Sequence, residues 1–191
     1  CSSDLTISGK YSTFVDSTKT GSTREGTMVV DPTSNINITA KEDLGGGMSA
    51  RAIVETTIGT NNTVDGTANT QFGDRQSTVG IAGPMGSVDL GRAVHSQFLA
   101  LTSNDSFGTL YGSVAGDIHN LRGLRYSNGA FVNTNLGPVS ASFDRSNNGA
   151  GQEDVSSYSL GASLGAVNGV LARYENATGT EKSTEIGRAH V

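Results

Sequence analysis

Residues 157–175 read SYSLGASLGAVNGVLARYE, and this stretch decides the fold class. In its first half, apolar and small polar residues alternate with the period of a β-strand that has one apolar face. The apolar set is Tyr158, Leu160, Ala162 and Leu164, and the polar set is Ser157, Ser159, Gly161 and Ser163. A short turn at residues 166–169 follows, after which Val170, Ala172 and Tyr174 alternate with Leu171, Arg173 and Glu175. The stretch therefore predicts two antiparallel strands joined by a tight turn.

Similar alternation continues on both sides of this hairpin and predicts an all-β protein. The expected strands cover residues 6–16, 27–42, 48–58, 74–83, 87–92, 121–135, 138–145, 157–165 and 169–178, about nine in all. Short turns alternate with long polar loops at residues 17–25, 59–74, 93–120 and 146–155. A soluble sandwich does not require loop lengths to alternate in phase, whereas a transmembrane barrel has short turns at one end and long loops at the other. The predicted fold is an antiparallel up-and-down transmembrane β-barrel, and the odd strand count indicates that it is truncated.

Composition excludes several other classes of protein. No stretch of the 191 residues approaches the roughly 18 apolar residues that a membrane helix needs. Only 16% of the residues are charged and the apolar residues recur regularly, which argues against disorder. The net charge of −5 gives no reason to expect nucleic acid. The single cysteine cannot form an internal disulfide.

Several motifs resemble, in their order and spacing, the Gram-negative general diffusion porins of the neisserial and burkholderial type. The most specific is EDLGGGM at residues 42–48, which is similar to the second hairpin of that family. The others are Asp74-Arg75-Gln76, Leu90-Gly91-Arg92 and Leu124-Arg125-Tyr126-Ser127. The chain departs from the family at Asn35, where arginine is usual. It also departs from the family in the loop at residues 93–120, which has no obvious acidic cluster.

The resemblance implies a sixteen-stranded homotrimeric barrel in the outer membrane of a Gram-negative bacterium, of which this chain supplies the N-terminal strands. Such a barrel lets small hydrophilic solutes and ions diffuse through a water-filled lumen. Its partner is outer-membrane lipid, and neither enzymatic activity, a cofactor nor nucleic acid is expected. The alternative is a secreted adhesin or autotransporter passenger, which predicts a repeat of fixed period. The sequence contains no such repeat.

Basic residues on the polar side of the strands are candidates for the pore constriction, where charged side chains set ion preference. Arg125 is the first candidate, both from its parity in the strand and from the resemblance. The other candidates with inward parity are Arg51, Lys10, Lys41 and Arg173. Arg75 is a further candidate, although its parity matches outward-facing residues. The alternative for each is a charge that is merely solvated in a wide vestibule.

The resemblance also implies that the loop at residues 93–120 folds into the lumen and narrows it. The loop carries the acidic candidates Asp105 and Asp117. Its apolar residues, which predict docking against the barrel wall, are Phe98, Leu99, Phe107, Leu110 and Tyr111. The alternative is an ordinary extracellular loop with a short helix. His95 and His119 lie in this loop without a cysteine partner, so the sequence favours solvated histidines and predicts no metal site.

The two ends of the chain read as a translated sequencing adapter. One codon choice for the start is TGC TCT TCC GAT CT, and its reverse complement encodes Ile-Gly-Arg-Ala, the residues at 186–189. The sequence therefore predicts that residues 1–5 and 185–191 are not native and that residues 6–184 hold the barrel domain. It also predicts that Cys1–Asp4 and Ile186–Val191 make few tertiary contacts. The alternatives are coincidence and a lipoprotein that begins at Cys1.

Overall fold

The computed structural model describes residues 3–31, 33–58, 63–64, 67–68, 71–102, 125–147, 154–165, 167–176, 178–179 and 182–190. In chain order its elements are β1 (Ser3–Lys10), β2 (Thr13–Thr20), β3 (Thr23–Val30), β4 (Asn35–Gly45), β5 (Met48–Thr57), β6 (Thr63–Val64), β7 (Thr67–Ala68), β8 (Gln76–Gly83), β9 (Gly86–Val94), α1 (Ser96–Thr102), β10 (Arg125–Leu136), β11 (Val139–Ser146), β12 (Val155–Leu164), β13 (Val167–Asn176) and β14 (Lys182–His190).

The main sheet has ten strands in the order β1-β4-β5-β8-β9-β10-β11-β12-β13-β14, and all neighbouring pairs are antiparallel. Two separate hairpins, β2–β3 and β6–β7, are inserted after β1 and after β5. Apart from these insertions, the strands are neighbours in chain order, which confirms the predicted all-β up-and-down arrangement. The edges of this open sheet are β1 and β14.

The main sheet has ten strands where about nine were predicted, and the tenth, β14, includes residues that were expected to make few contacts. At the opposite edge Ser3 lies opposite Glu42, while Ile186 in β14 lies opposite Leu171. The expectation of few tertiary contacts is therefore also wrong for the described residues of both ends. The physical reason is that an edge strand offers backbone N–H and C=O groups to any extended segment, whatever its side chains.

The predicted strands at residues 6–16 and 27–42 are each interrupted. The Asp31 N–H donates to the Ser12 carbonyl at 2.9 Å, and the Ser34 N–H donates to the Asp31 carbonyl at 2.9 Å. The Ser12 N–H also donates to the Ser34 Oγ at 3.0 Å. These bonds close the base of the hairpin β2–β3, so the chain leaves the main sheet and returns to it at one point.

Two-residue turns connect β4 to β5, β8 to β9 and β10 to β11. Strands β12 and β13 are also joined by a short connection, but residues 167–169, predicted to lie in the turn, belong to β13. In the turn between β4 and β5, Gly46 and Gly47 have φ of 62° and 77°, a left-handed conformation that glycine adopts without strain. The longer connections all lie at the other end of the strands.

The main sheet has two unlike faces. Its polar face carries Arg51, Asp89 and Asp144, and its apolar face carries residues such as Val79 and Leu160. These two apolar side chains are 60% and 52% exposed. A soluble protein would normally cover so large an apolar surface, so this face is suited to lipid.

The buried apolar cluster is small and lies on the polar face. It consists of Tyr126, Phe131 and Val155, with Ala93 and Tyr174 packed against it. Helix α1 lies near this cluster and contacts β11, β12, β13 and β14. Among the described residues, no helix is long and apolar enough to cross a membrane.

Candidate functional site

The strand register aligns one row of residues across the polar face. From β4 to β13 the row holds Lys41, Arg51, Gly80, Asp89, Phe131, Asp144, Ser157 and Tyr174. Directly opposite side chains in neighbouring antiparallel strands lie about 5 Å apart, so these residues form a continuous band. The band is mainly charged from β4 to β9 and mainly uncharged from β10 to β13.

The charged part of the band contains a two-pronged ion pair. Arg51 Nε donates to Asp89 Oδ1 at 2.8 Å, and Arg51 Nη2 donates to Asp89 Oδ2. The same Nη2 donates to Ser87 Oγ at 2.9 Å. A guanidinium that meets both oxygens of a carboxylate is fixed in orientation as well as in position. The charge of Arg51 is therefore largely compensated within the wall.

Arg75 lies at the long-connection end of β8 and turns toward the polar face. Its Nε forms an ion pair with Glu55 Oε1, and its backbone N–H donates to the Glu55 carbonyl at 3.1 Å. Glu55 follows Arg51 by four residues on the unbroken strand β5 and so shares its face. Because β8 begins only at Gln76, the outward parity of Val79 does not extend to Arg75.

Two more arginines lie at this end of the sheet, Arg92 opposite Ser77 and Arg125 opposite Val94. Both positions share the strand parity of Leu90 and Val79 on the apolar face, so the inward parity predicted for Arg125 is wrong, and its place among these arginines rests on the charges around it. Arg92 Nε donates to the Asp74 carbonyl at 2.7 Å, and its Nη1 donates to Ser127 Oγ at 2.7 Å. The charges that act on Arg125 are those of Arg75, Glu55, Arg92 and Asp74. Arg125 Nε is buried and has no hydrogen-bond partner within the described part of the chain. Arg75, Arg92 and Arg125, together with Glu55 and Asp74, are called the arginine cluster below.

Asp74 is held by the end of β5. Its Oδ1 accepts from the Thr57 N–H at 2.8 Å and from Thr56 Oγ1 at 3.2 Å, and its Oδ2 accepts from Thr57 Oγ1 at 2.5 Å. Burial by itself would raise the pKa of Asp74, but the hydrogen bonds from Thr57 and Thr56 and the charge of Arg75 outweigh burial and lower the pKa. Asp74 is therefore a carboxylate at neutral pH.

Helix α1 is attached to the uncharged part of the band by its first backbone N–H groups. The Ser96 N–H donates to Asp144 Oδ1 at 2.6 Å, and the Gln97 N–H donates to Ser157 Oγ at 2.9 Å. The hydroxyls of Ser96 and Ser157 also share a hydrogen bond of 2.7 Å. The first N–H groups of a helix lack partners within the helix, and here the wall provides them. A carboxylate at a helix N-terminus is also favoured by the helix dipole.

His95 precedes α1 and completes this attachment. Its Nδ1 accepts from the Phe98 N–H at 3.2 Å. Its ring is fully buried, stacked on Tyr126 with centroids 5.0 Å apart, and 5.9 Å from Tyr174. Burial lowers the pKa of His95 to about 4, so the ring is neutral at pH 7 and Nδ1 is free to accept. The expectation of a solvated histidine is wrong because stacking on the wall removes it from water.

Docking of α1 differs in kind from the prediction. Of the residues expected to pack against the wall, Phe98 is half-buried with its ring centroid 6.2 Å from that of His95, whereas Leu99 is 54% exposed. The attachment is made instead by hydrogen bonds and by the aromatic contacts of His95. Of the other loop residues proposed to dock, Phe107, Leu110 and Tyr111 lie outside the described residues. His119 and the acidic candidates Asp105 and Asp117 lie outside them as well.

The remaining candidates fall on both faces. Lys10 lies opposite Asn35 and Lys41 lies opposite Arg51, and the alternation along β1 and β4 puts both lysines on the polar face. Arg173 lies opposite Tyr158, so it occupies the apolar face.

The predicted inward orientation of Arg173 is wrong. Its neighbour Ala172 is fully buried on the polar face near α1, whereas Leu171 is 42% exposed on the apolar face. Because α1 contacts the polar face at β13, apolar residues occur on both faces there, and their alternation does not reveal which face is inward.

Sequence reasoning missed Asp89 and Asp144. Each stands as an isolated acid in an alternating strand, and its role depends on a residue 38 or 48 positions away. Strand parity alone would have put both on the polar face. Only the register between strands shows what they hold.

The polar face offers charged and hydrogen-bonding side chains. No group of three His, Cys, Asp or Glu side chains suited to a metal ion occurs in the described ranges.

Comparison with known proteins agrees with this architecture. A family model described as Gram-negative porin matches residues 2–185. No curated protein matches the chain. The fold is similar to that of an anion-selective porin from Comamonas acidovorans, with a TM-score of 0.61, 22% identity, and coverage of 99% of this chain and 74% of that chain.

The fold is also similar to OmpTdeltaL8, a loop L8 deletion mutant of OmpT, an outer membrane protein of Vibrio cholerae. The TM-score is 0.68 at 10% identity, over 97% of this chain and 61% of that chain. At such identities the solved structures show a shared fold. The family match extends over nearly the whole chain, and with the two-faced antiparallel sheet it shows that the chain belongs to the family of Gram-negative porins, proteins of the bacterial outer membrane.

Proposed function

We propose that this chain forms part of the wall of a water-filled pore through which small hydrophilic solutes and ions diffuse passively. The observation that carries the proposal is the difference between the two faces of the main sheet. Charged groups such as Arg51 and Asp89 need water, whereas exposed side chains such as Val79 and Leu160 are suited to lipid. A secreted adhesin would leave this apolar face in water, so the geometry favours the pore.

Helix α1 narrows the lumen of the pore at the level where it is attached to the wall. It is fixed to the polar face of β11 and β12 through Asp144 and Ser157. A segment fixed there occupies part of the lumen and lowers the largest solute size that passes. Passage by diffusion requires no bond to be made or broken, so we infer that the protein is not an enzyme.

The arginine cluster favours anions over cations. It holds three guanidinium groups, Arg75, Arg92 and Arg125, against two carboxylates, Glu55 and Asp74. The local excess is one positive charge, which raises the concentration of anions near the wall. One of the solved structures with this fold is named an anion-selective porin, which is consistent with this assignment.

The ten strands are proposed to belong to a larger barrel. The main sheet has two edges, β1 and β14, and unpaired backbone groups at an edge are costly in lipid. Further strands would close the sheet, and the sixteen-stranded homotrimer implied by the sequence is the proposed assembly. This chain covers 74% and 61% of the two solved structures described above. The sequencing-adapter origin of residues 1–5 and 185–191 also stays a proposal.

Planar lipid bilayers test the function directly. The complete porin that contains this chain is reconstituted between solutions of unequal KCl concentration. We expect discrete conductance steps and a reversal potential displaced toward the chloride equilibrium potential. Folded protein that gives no steps, or a reversal potential on the potassium side, would overturn the pore or its anion preference respectively.

A further inference from the structure

The ion pair between Arg51 and Asp89 spans three strands. Arg51 on β5 lies opposite Gly80 on β8, and Gly80 lies opposite Asp89 on β9. Neighbouring strands are about 4.8 Å apart, so the backbones that carry the pair are separated by roughly twice that distance. The two side chains can meet only above the position of Gly80.

Because Gly80 has no side chain, it leaves room above β8 for the side chains of Arg51 and Asp89 to meet. A Cβ atom at Gly80 would lie 2.4 Å from Asp89 Oδ1 and 2.3 Å from the Val88 carbonyl oxygen. Both distances are shorter than real contacts to a Cβ allow. Any other residue at this position would therefore displace the Asp89 carboxylate from its place over β8.

The contacts within this gap are directional. Two nitrogens of Arg51 meet the two oxygens of Asp89, and the Ser87 hydroxyl bridges to the same carboxylate at 3.3 Å. The side chains of Arg51 and Asp89 are 29% and 8% exposed. Such a forked, partly buried pair restrains the guanidinium far more than an exposed one would.

We propose that Gly80 and Asp89 are specificity-determining residues of the pore, because together they hold Arg51 against the wall and withhold its guanidinium from solute anions. The inference rests on the proposed pore function. Anion attraction is then concentrated at the arginine cluster, and Arg51 acts as a cross-strand tie. A residue other than glycine at position 80 would create a second anion site at Arg51.

Chemical modification tests the pair without requiring conductance. Phenylglyoxal, a reagent for free guanidinium groups, is applied to the folded porin in detergent, and modified peptides are quantified by mass spectrometry. Arg24 in the exposed hairpin β2–β3 provides the reference rate. We expect Arg51 to react about ten-fold more slowly than Arg24, and the difference to disappear in Asp89→Asn, which removes the charge-assisted bonds.

Gly80→Ala disturbs the ion pair between Arg51 and Asp89 but leaves the net charge unchanged. It therefore separates the effect of the ion pair from the effect of charge. We expect the reactivity of Arg51 to rise in this variant as well. Where Gly80→Ala does not fold, Asp89→Asn decides the question. Gly161→Ala is the matched control, since its Cβ would meet only the Ser140 hydroxyl at 2.6 Å among close contacts. Arg51 that reacts as fast as Arg24 in the folded parent protein overturns the inference.

Block of the conducting pore by inorganic sulfate is the functional readout. We expect Asp89→Asn to tighten the block roughly three-fold, and the further change Arg51→Gln to remove that gain. Unchanged sulfate block in a conducting Asp89→Asn pore would contradict this inference but not the pore function. Absence of conductance in every variant would contradict the pore function, whereas the modification rates would still report on the pair.

Discussion

The polar face can be divided into two regions that use polar groups differently. The charged half is the polar face of β5, β8 and β9, where Arg51 pairs with Asp89 and Arg75 pairs with Glu55. The hydroxyl half is the polar face of β11, β12 and β13, where serines dominate and Asp144 is the one acid among the described residues. In the charged half, partly exposed ions face the solution. In the hydroxyl half, buried donors and acceptors hold α1.

Charge alone therefore does not identify the functional residues of such a wall. Asp144 is 1% exposed and has little direct access to solutes, yet it holds α1, the segment proposed to narrow the lumen. Arg51 carries a full charge and is largely compensated. In the proposed pore, the arginine cluster provides most of the electric field that acts on solutes, and the hydroxyl half holds the segment that sets the width of the lumen.

The largest expected effect is on the hydroxyl half. Asp144→Ala leaves the Ser96 N–H without its acceptor, which costs about 1–3 kcal/mol, or roughly a ten- to hundred-fold loss of amide protection at residues 96–98. Hydrogen exchange followed by mass spectrometry measures this loss. Asp144→Asn is the matched control, because its amide oxygen still accepts and most protection should remain. Equal protection in Asp144→Ala and the parent protein would show that the carboxylate does not hold α1.

A smaller effect is expected in the charged half. Arg125→Gln removes one positive charge from the arginine cluster, so the permeability ratio of chloride to potassium should fall roughly two-fold. Reversal potentials in a KCl gradient measure this ratio. Arg173→Gln is the matched control: the same substitution on the apolar face should leave the ratio unchanged. A larger effect at Arg173 than at Arg125 would contradict the assignment of anion preference to the arginine cluster.

Proton titration of His95 tests whether its ring is buried where α1 is attached to the hydroxyl half. Burial lowers the pKa of His95 to about 4, so its ring resonances should titrate with a midpoint near that value in NMR spectra. In Asp144→Ala, release of α1 should move the midpoint toward the ordinary value of about 6.5. A midpoint near 6.5 in the parent protein would mean that the ring is solvated and does not cap α1.

The smallest expected effect is the acid sensitivity of Asp74. Its folded-state pKa lies below the ordinary 3.8, so its hydrogen bonds contribute full stability above about pH 4 and lose it as the pH falls through the folded pKa. Protection of the Thr57 amide, relative to its intrinsic exchange rate, should stay constant from pH 7 to pH 5 and decline only below pH 4. In Asp74→Asn the decline should be absent.

Sequence alone predicted the period-two strands, the short turns and the face of Arg51, because these depend on local alternation and on glycines with positive φ. The sequence put Arg173 on the wrong face because α1 contacts the polar face of β13. Apolar residues of β13 can therefore face either α1 or lipid, and their alternation does not distinguish the two. His95 was misjudged because its burial depends on Tyr126 and Tyr174, which are distant in sequence. Pairing of Arg51 with Asp89 needs the register of three strands, which no local pattern contains.

Alternate residues of each strand of the main sheet are proposed to face water and lipid. Nitroxide labels placed one at a time at positions 158–164 of β12, in the porin reconstituted in lipid vesicles, test this proposal most directly. Collision rates with oxygen and with a water-soluble nickel complex are measured at each position. We expect nickel access at Ser159 and Ser163 and oxygen access at Tyr158, Leu160 and Ala162. Equal nickel access along the strand, or the opposite phase, would contradict it.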